Sequence, residues 1–158
     1  MPNKATTFAC ILMMLAAATA APASAPVLVR VARRIPAAGL HVRIAGLRDS
    51  KGQVICTLYD SPDAFPSDSN RAIGHAVVAI RYRSAECDFA GIAPGKYALV
   101  AFHDENSNGE FDRNWFGMPK EGYAFSNNVR PVFAPPSFKA AAFDYTGGEL
   151  WLTVAMHY

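Results

Sequence analysis

The residues best equipped for chemistry sit in one short stretch, His103 to Asp112, which reads HDENSNGEFD. Asp104, Asn106 and Asn108 fall at alternate positions, Gly109 follows, and Asp112 comes three residues later. That spacing fits the first half of a calcium-loop pattern, D-x-[DN]-x-[DN]-G. Alternate side chains in a tightly wound loop converge on one point, and the glycine permits the sharp turn after the third ligand. Calcium takes about six to eight oxygens, so the Glu110 carbonyl and the Asp112 carboxylate add to the set. Glu121 could close the shell from further along the chain. The departure from an EF-hand is plain: Trp115 stands where a bidentate Glu belongs, no helices are expected on either side, and two of the three lead ligands are neutral amides. Two readings follow: a calcium site of modest affinity that orders the aromatic loop behind it, or, in a purely structural or accessory envelope domain without metal, a polar turn whose Asp and Asn side chains bond their own backbone.

Directly after comes NWFGMPKEGYAFSNN, Asn114 to Asn128, in which Trp115, Phe116, Tyr123 and Phe125 alternate with Gly, Pro and amides. With His103, Ser126 and Asn127, the residues Trp115, Tyr123 and Phe125 form a candidate ligand-binding surface for a sugar, a peptide, another small polar ligand or a cell-envelope protein. The opposing expectation is that these aromatics pack inward and plug one end of the fold, as Phe and Trp in long ordered loops commonly do. Catalysis is not expected. His103 and Asp104 are neighbours on a strand and point to opposite faces, so they do not readily share a site with Ser126. No G-x-S-x-G, H-E-x-x-H or Gly-rich phosphate loop occurs. His41, His75 and His157 are scattered, without metal-ligand spacing.

The elements that must position this loop read as strands. Leu40, Val42 and Ile44 alternate with His41 and Arg43, the period of a half-buried strand. Further strands are expected at Gln53–Tyr59, His75–Arg83, Glu86–Phe89, Lys96–His103, Phe138–Tyr145 and Glu149–Tyr158, set off by turn clusters such as Asp49-Ser50-Lys51-Gly52. Seven short strands with turns between them predict an all-β fold, a single antiparallel β-sandwich over residues 39–158. The exception is the connection Asp104 to Ser137, too long to be a plain turn, which makes it the expected functional loop.

The chain has 158 residues with a net charge of +2, room for one domain and too weakly basic to imply a nucleic-acid partner. The charge is uneven: Arg30 to Arg83 balances at +5, whereas Glu86 to Glu121 balances at −4. Lys4 followed by the apolar run Phe8 to Leu15 and the small residues Ala18-Thr19-Ala20 and Ala21-Pro22-Ala23 is the layout of a secretory signal peptide, here residues 1–23, with a linker at 24–38. The apolar run is shorter than the roughly 20 residues a spanning helix needs, so no membrane span is expected in the mature chain. Export to the periplasm or the medium follows. Cys10 leaves with the signal, and Cys56 and Cys87 remain. In an oxidising compartment two cysteines point to a disulfide, against the alternative of two buried thiols.

The run from Gly91 to Asn128, with Pro94-Gly95-Lys96-Tyr97-Ala98, FHDENSNGEFDRNWFGMP and EGYAFSNN, resembles the domain-of-unknown-function family 2141 of small secreted bacterial proteins. The resemblance extends over about Leu40 to Tyr158. It implies a sandwich of prealbumin (transthyretin)-like type, similar also to carboxypeptidase-regulatory modules, which share the P-G-x-Y strand start. It implies no activity. The positions that match the family pattern are His103, Asp104, Asn106, Asn108, Gly109, Asp112, Gly117, Pro119, Glu121, Gly122, Phe125, Ser126 and Asn127.

Overall fold

The computed structural model describes residues 38–131 and 134–158. The expected signal peptide and the linker up to residue 37 lie outside the described residues. Alternating apolar positions build β1 (Gly39–Ala45), β2 (Gln53–Tyr59), β3 (Gly74–Ala79), β4 (Ala85–Ala90), β5 (Gly95–Asp104), β6 (Gly122–Phe125), β7 (Phe143–Tyr145) and β8 (Glu149–Ala155). They form two sheets. One has the order β4-β1-β8, and the other has the order β3-β2-β5-β6 with β7 also paired to β5. The all-β sandwich is thus as expected, with three corrections.

The described residues hold eight strands rather than seven. The extra one, β6, is only four residues long and lies inside what reads as a loop; it forms because Gly122–Phe125 can pair with His103–Val100 of β5. The sandwich is also not wholly antiparallel: β8 runs parallel to β1, from Gly39 opposite Glu149 to Ala45 opposite Ala155. A parallel pair needs a long crossover, and here the whole five-stranded sheet lies between the two strands in sequence. Finally, Phe138–Tyr145 is not one strand. Ser137 accepts a hydrogen bond from the Ala140 N–H and caps a single helical turn, α1 (Phe138–Ala141), before β7 begins.

Side-chain alternation sends Leu40, Val42 and Ile44 of β1, Val54, Cys56 and Leu58 of β2, and Leu99 and Ala101 of β5 into the space between the sheets. Cys56 and Cys87 form a disulfide there, joining β2 in one sheet to β4 in the other. Closing that 31-residue separation is worth about 3–4 kcal/mol in the chain-entropy model. A second apolar cluster covers part of the outer face of the five-stranded sheet, where Tyr59, Phe65, Ala98, Phe125 and Ala141 pack together. Both faces of β2 and β5 are therefore partly covered. Among the described residues no helix is long and apolar enough to cross a membrane.

Candidate functional site

β5 delivers His103 and Asp104 to the end of the sheet, and both are fully buried. They do point apart. The His103 imidazole enters the space between the sheets, where its Nε2–H donates to the Lys51 carbonyl at 2.8 Å and the Tyr158 hydroxyl donates to its Nδ1 at 2.7 Å. The Arg48 N–H donates in turn to the Tyr158 oxygen at 2.9 Å, and burial raises the Tyr158 phenol above its ordinary pKa. Both nitrogens of His103 are occupied, which leaves it no free site for a substrate proton.

Asp104 faces the loop. Its Oδ1 accepts the Asn108 N–H at 3.0 Å, and its Oδ2 accepts the Gly109 N–H and the Gln53 side-chain amide, each at 2.8 Å. The close approach of β2 to this point requires Gly52, whose φ is +66° and whose added Cβ would meet the Asp104 backbone oxygen. Glu121, 4% exposed, closes the other side: Oε1 accepts the Glu105 N–H at 3.0 Å and Oε2 the Asp112 N–H at 3.1 Å. Two buried carboxylates thus tie both ends of the Glu105–Asp112 turn to the sheet. Further out, Asn106 and Asn108 accept N–H groups two residues on and donate their own side-chain amides to Asp112, at 2.9 and 3.4 Å. These are the Asx contacts of a self-bonded polar turn. Of the six candidate calcium ligands, Asp104 and Glu121 lie at the buried base and Asn106, Asn108, Glu110 and Asp112 nearer the surface, and among the described residues no three of the loop's carboxylates come close enough to share one ion.

The candidate ligand-binding residues divide. Phe125 and Ser126 are buried, Tyr123 is half-buried, and Trp115 is fully exposed, with Phe116 beside it at 91%. The inward-packing expectation holds for Phe125 and fails for Trp115 and Phe116. Ser126 accepts the Leu99 N–H at 2.9 Å and donates to the Ala141 carbonyl at 2.6 Å. Asn127, at φ +59°, donates to the Ala140 and Ala142 carbonyls. Both residues lock β6 to α1.

An open groove of about 480 Å³ runs over the outer face of the five-stranded sheet. Its floor includes Thr57, Val100, Phe102 and Tyr123, and its loop wall includes Phe111, Arg113 and Met118. Phe111 stands edge-on to Phe102 and Tyr123 at 5.6 and 6.3 Å between centroids, and the Arg113 guanidinium lies 5.1 Å from the Phe111 ring. The hydrogen bonds that Asp104 and Glu121 each accept therefore position one side of a groove. No motif or spacing in the sequence marks Thr57, Phe102, Phe111 or Arg113. The available signal was β2 itself, QVICTLY, apolar at outward as well as inward positions and buried at six of its seven residues.

A second cluster escaped the sequence as well. On the outer face of the three-stranded sheet, His41 pairs in register with Asp88 and with Trp151. Its Nδ1–H donates to Asp88 at 2.6 Å, its ring stacks on Trp151 at 4.5 Å, and Glu86 is close enough for all three to offer atoms within 4.8 Å of one another. Spacing along the chain could not show this, because it arises from cross-strand register.

Fold and site together define a small all-β sandwich with one anchored loop walling a surface groove. The chain belongs to a bacterial family described as "Uncharacterized protein conserved in bacteria (DUF2141)", whose sequence model matches residues 42–151. No curated protein and no solved structure matches the chain.

Proposed function

We propose that this chain is an exported, non-catalytic binding module whose groove takes a small, partly aromatic polar ligand or a side chain of a cell-envelope partner. The observation that carries this reading is the groove itself, with an aromatic floor, a cationic group at its rim and a wall fixed by buried carboxylates. Such a mix of apolar surface with a few placed polar groups is the general character of small-molecule sites. Export is supported by the signal-like N-terminus and by the inter-sheet disulfide. The engaged ring nitrogens of His103 argue against a hydrolase built on it. The test is titration with anilinonaphthalene sulfonate, an aromatic anion matched to the groove. Saturable binding that Tyr123→Ser weakens at least tenfold supports the reading; binding indifferent to Tyr123→Ser, or none, removes it.

In this reading the Asp104–Asp112 loop is held by its own hydrogen bonds and needs no metal. A second reading, calcium at the loop, rests on the Asp112 carboxylate facing the side chains of both Asn106 and Asn108. Thermal unfolding in EDTA and then in millimolar calcium separates the two. A site filled at 100 times its dissociation constant adds about 2.7 kcal/mol, a visible rise in Tm. An unchanged Tm leaves the loop self-sufficient.

A further inference from the structure

We infer that the loop tip Arg113–Lys120, which shares Arg113 and Met118 with the groove wall, is a docking point for an anionic lipid surface. The tip is a built hairpin. Arg113 and Pro119 form a bridge, the Asn114 N–H donates to the Met118 carbonyl at 2.9 Å, and the Asn114 side-chain oxygen accepts the N–H groups of Phe116 and Met118 at 2.9 and 3.0 Å. Gly117, at φ +77°, makes the turn. What this scaffold presents is apolar: Trp115, Phe116 and Met118 are 101%, 91% and 61% exposed. Single exposed apolar residues are ordinary on a protein surface, but three large ones together on a hydrogen-bonded turn mark a contact surface.

Charge decides the partner. Arg113 and Lys120 flank the aromatics, and with Asn114 and Trp115 they line a shallow hollow of about 370 Å³. Of the acidic groups nearby in the loop, Glu110 is exposed, whereas Asp112 is half-buried and Glu121 is buried. Asp112 receives the side-chain amides of Asn106 and Asn108, and Glu121 is buried on the N–H groups of Glu105 and Asp112. The Arg113 guanidinium is held in place by the Gly117 carbonyl and the Phe111 ring. An indole beside two cations, with a second aromatic ring alongside, suits the headgroup zone of a membrane, where Trp sits at the apolar boundary and Lys or Arg meets phosphates. Basic side chains and apolar insertion would each be weak alone; together they give reversible attachment.

The experiment is co-sedimentation of the purified chain, as the cell processes it, with vesicles of phosphatidylglycerol and phosphatidylethanolamine, and with vesicles of phosphatidylcholine alone. Binding is expected to the anionic vesicles, to weaken as salt rises, and to fall by about fivefold for each charge removed in Arg113→Gln and Lys120→Gln. Trp115→Ala/Phe116→Ala should lower it by about tenfold or more. In a Trp151→Phe background the emission comes from Trp115 alone, and it should shift to the blue on anionic vesicles. All variants share one N-terminus, so anionic binding that survives the double aromatic substitution belongs elsewhere in the chain and overturns the proposal. So does an unshifted Trp115 emission, or equal binding to both vesicle types.

Discussion

At the base of the Asp104–Glu121 loop, His103, Asp104 and Glu121 are buried, and each has its polar atoms engaged by named partners. At its tip, Trp115, Phe116 and Met118 are large, apolar and turned to solvent. Each end reverses the usual distribution of polar groups outside and apolar groups inside. Buried carboxylates are tolerated where N–H donors replace the water they lose, and this arrangement fixes geometry more than it adds net stability. A base held that firmly can keep a tip in water at a set place, where a floppy loop would fold its aromatics back onto the sheet. The difference separates residues that hold the site from residues that use it.

The sharpest way to break this comparison is to disturb the base. Gly52→Ala places a Cβ 2.0 Å from the Asp104 backbone oxygen at a φ of +66°, so either β2 or the start of the loop must move. A cost of about 4 kcal/mol is expected, measured by urea unfolding, from strain and overpacking together. Asp104→Ala leaves the Gly109 N–H and the Gln53 amide without their acceptor and the Asn108 N–H with Asn106 alone, for about 3 kcal/mol. Glu121→Ala releases two N–H groups and should cost about 2 kcal/mol, with faster proteolysis within residues 105–112. Losses near zero for both carboxylates would mean that water serves the loop equally well, and the base would lose its special role.

How much of this was legible in the sequence depends on whether the signal is local. The alternation in β1 and the Asp104–Asp112 spacing are local patterns and the cysteine count is a compositional one, and the sandwich, a self-bonded polar loop and the disulfide follow from them. β6 was hidden because four residues carry too little alternation, and only pairing with β5 makes them a strand. The parallel β1–β8 pair and the His41–Asp88–Trp151 stack depend on register between segments far apart in the chain. The sequence offers Glu121 as a carboxylate that could fold back, and it does, but onto backbone N–H groups. Ser126 and Asn127 match the family pattern and read as ligand contacts in the sequence; their bonds to Leu99, Ala140, Ala141 and Ala142 are those of residues holding β6 against α1.

A smaller effect sharpens the comparison through pH. The Tyr158 phenol donates to His103, and burial holds its pKa above the ordinary 10.0. Because the folded value is raised, its contribution to stability is complete below the unfolded value and is lost as pH climbs through the folded one. Urea unfolding from neutral pH to well above 10 should therefore show an alkaline loss. Tyr158→Phe should cost about 1 kcal/mol at neutral pH, since His103 Nδ1 and the Arg48 N–H lose their partner, and should flatten part of that alkaline fall. Burial raises the Tyr59 phenol as well, so the flattening is expected to be partial.

The smallest expected effect is at the tip. Trp115→Ala/Phe116→Ala removes two side chains that are 101% and 91% exposed, so the folded state loses almost no buried area. The hairpin beneath is held by the Asn114 side chain and backbone bonds, none of which involves either aromatic side chain. Unfolding free energy should stay within about 0.5 kcal/mol of the unsubstituted chain. Asn114→Ala, by contrast, removes the acceptor for the Phe116 and Met118 N–H groups and should cost about 1 kcal/mol while loosening the turn. If the aromatic pair instead proved worth more than about 1 kcal/mol, the rings would be packing against the body of the protein in solution. Base and tip would then be one structural unit, and the exposed aromatics would be part of what holds the groove wall rather than a surface kept free for a partner.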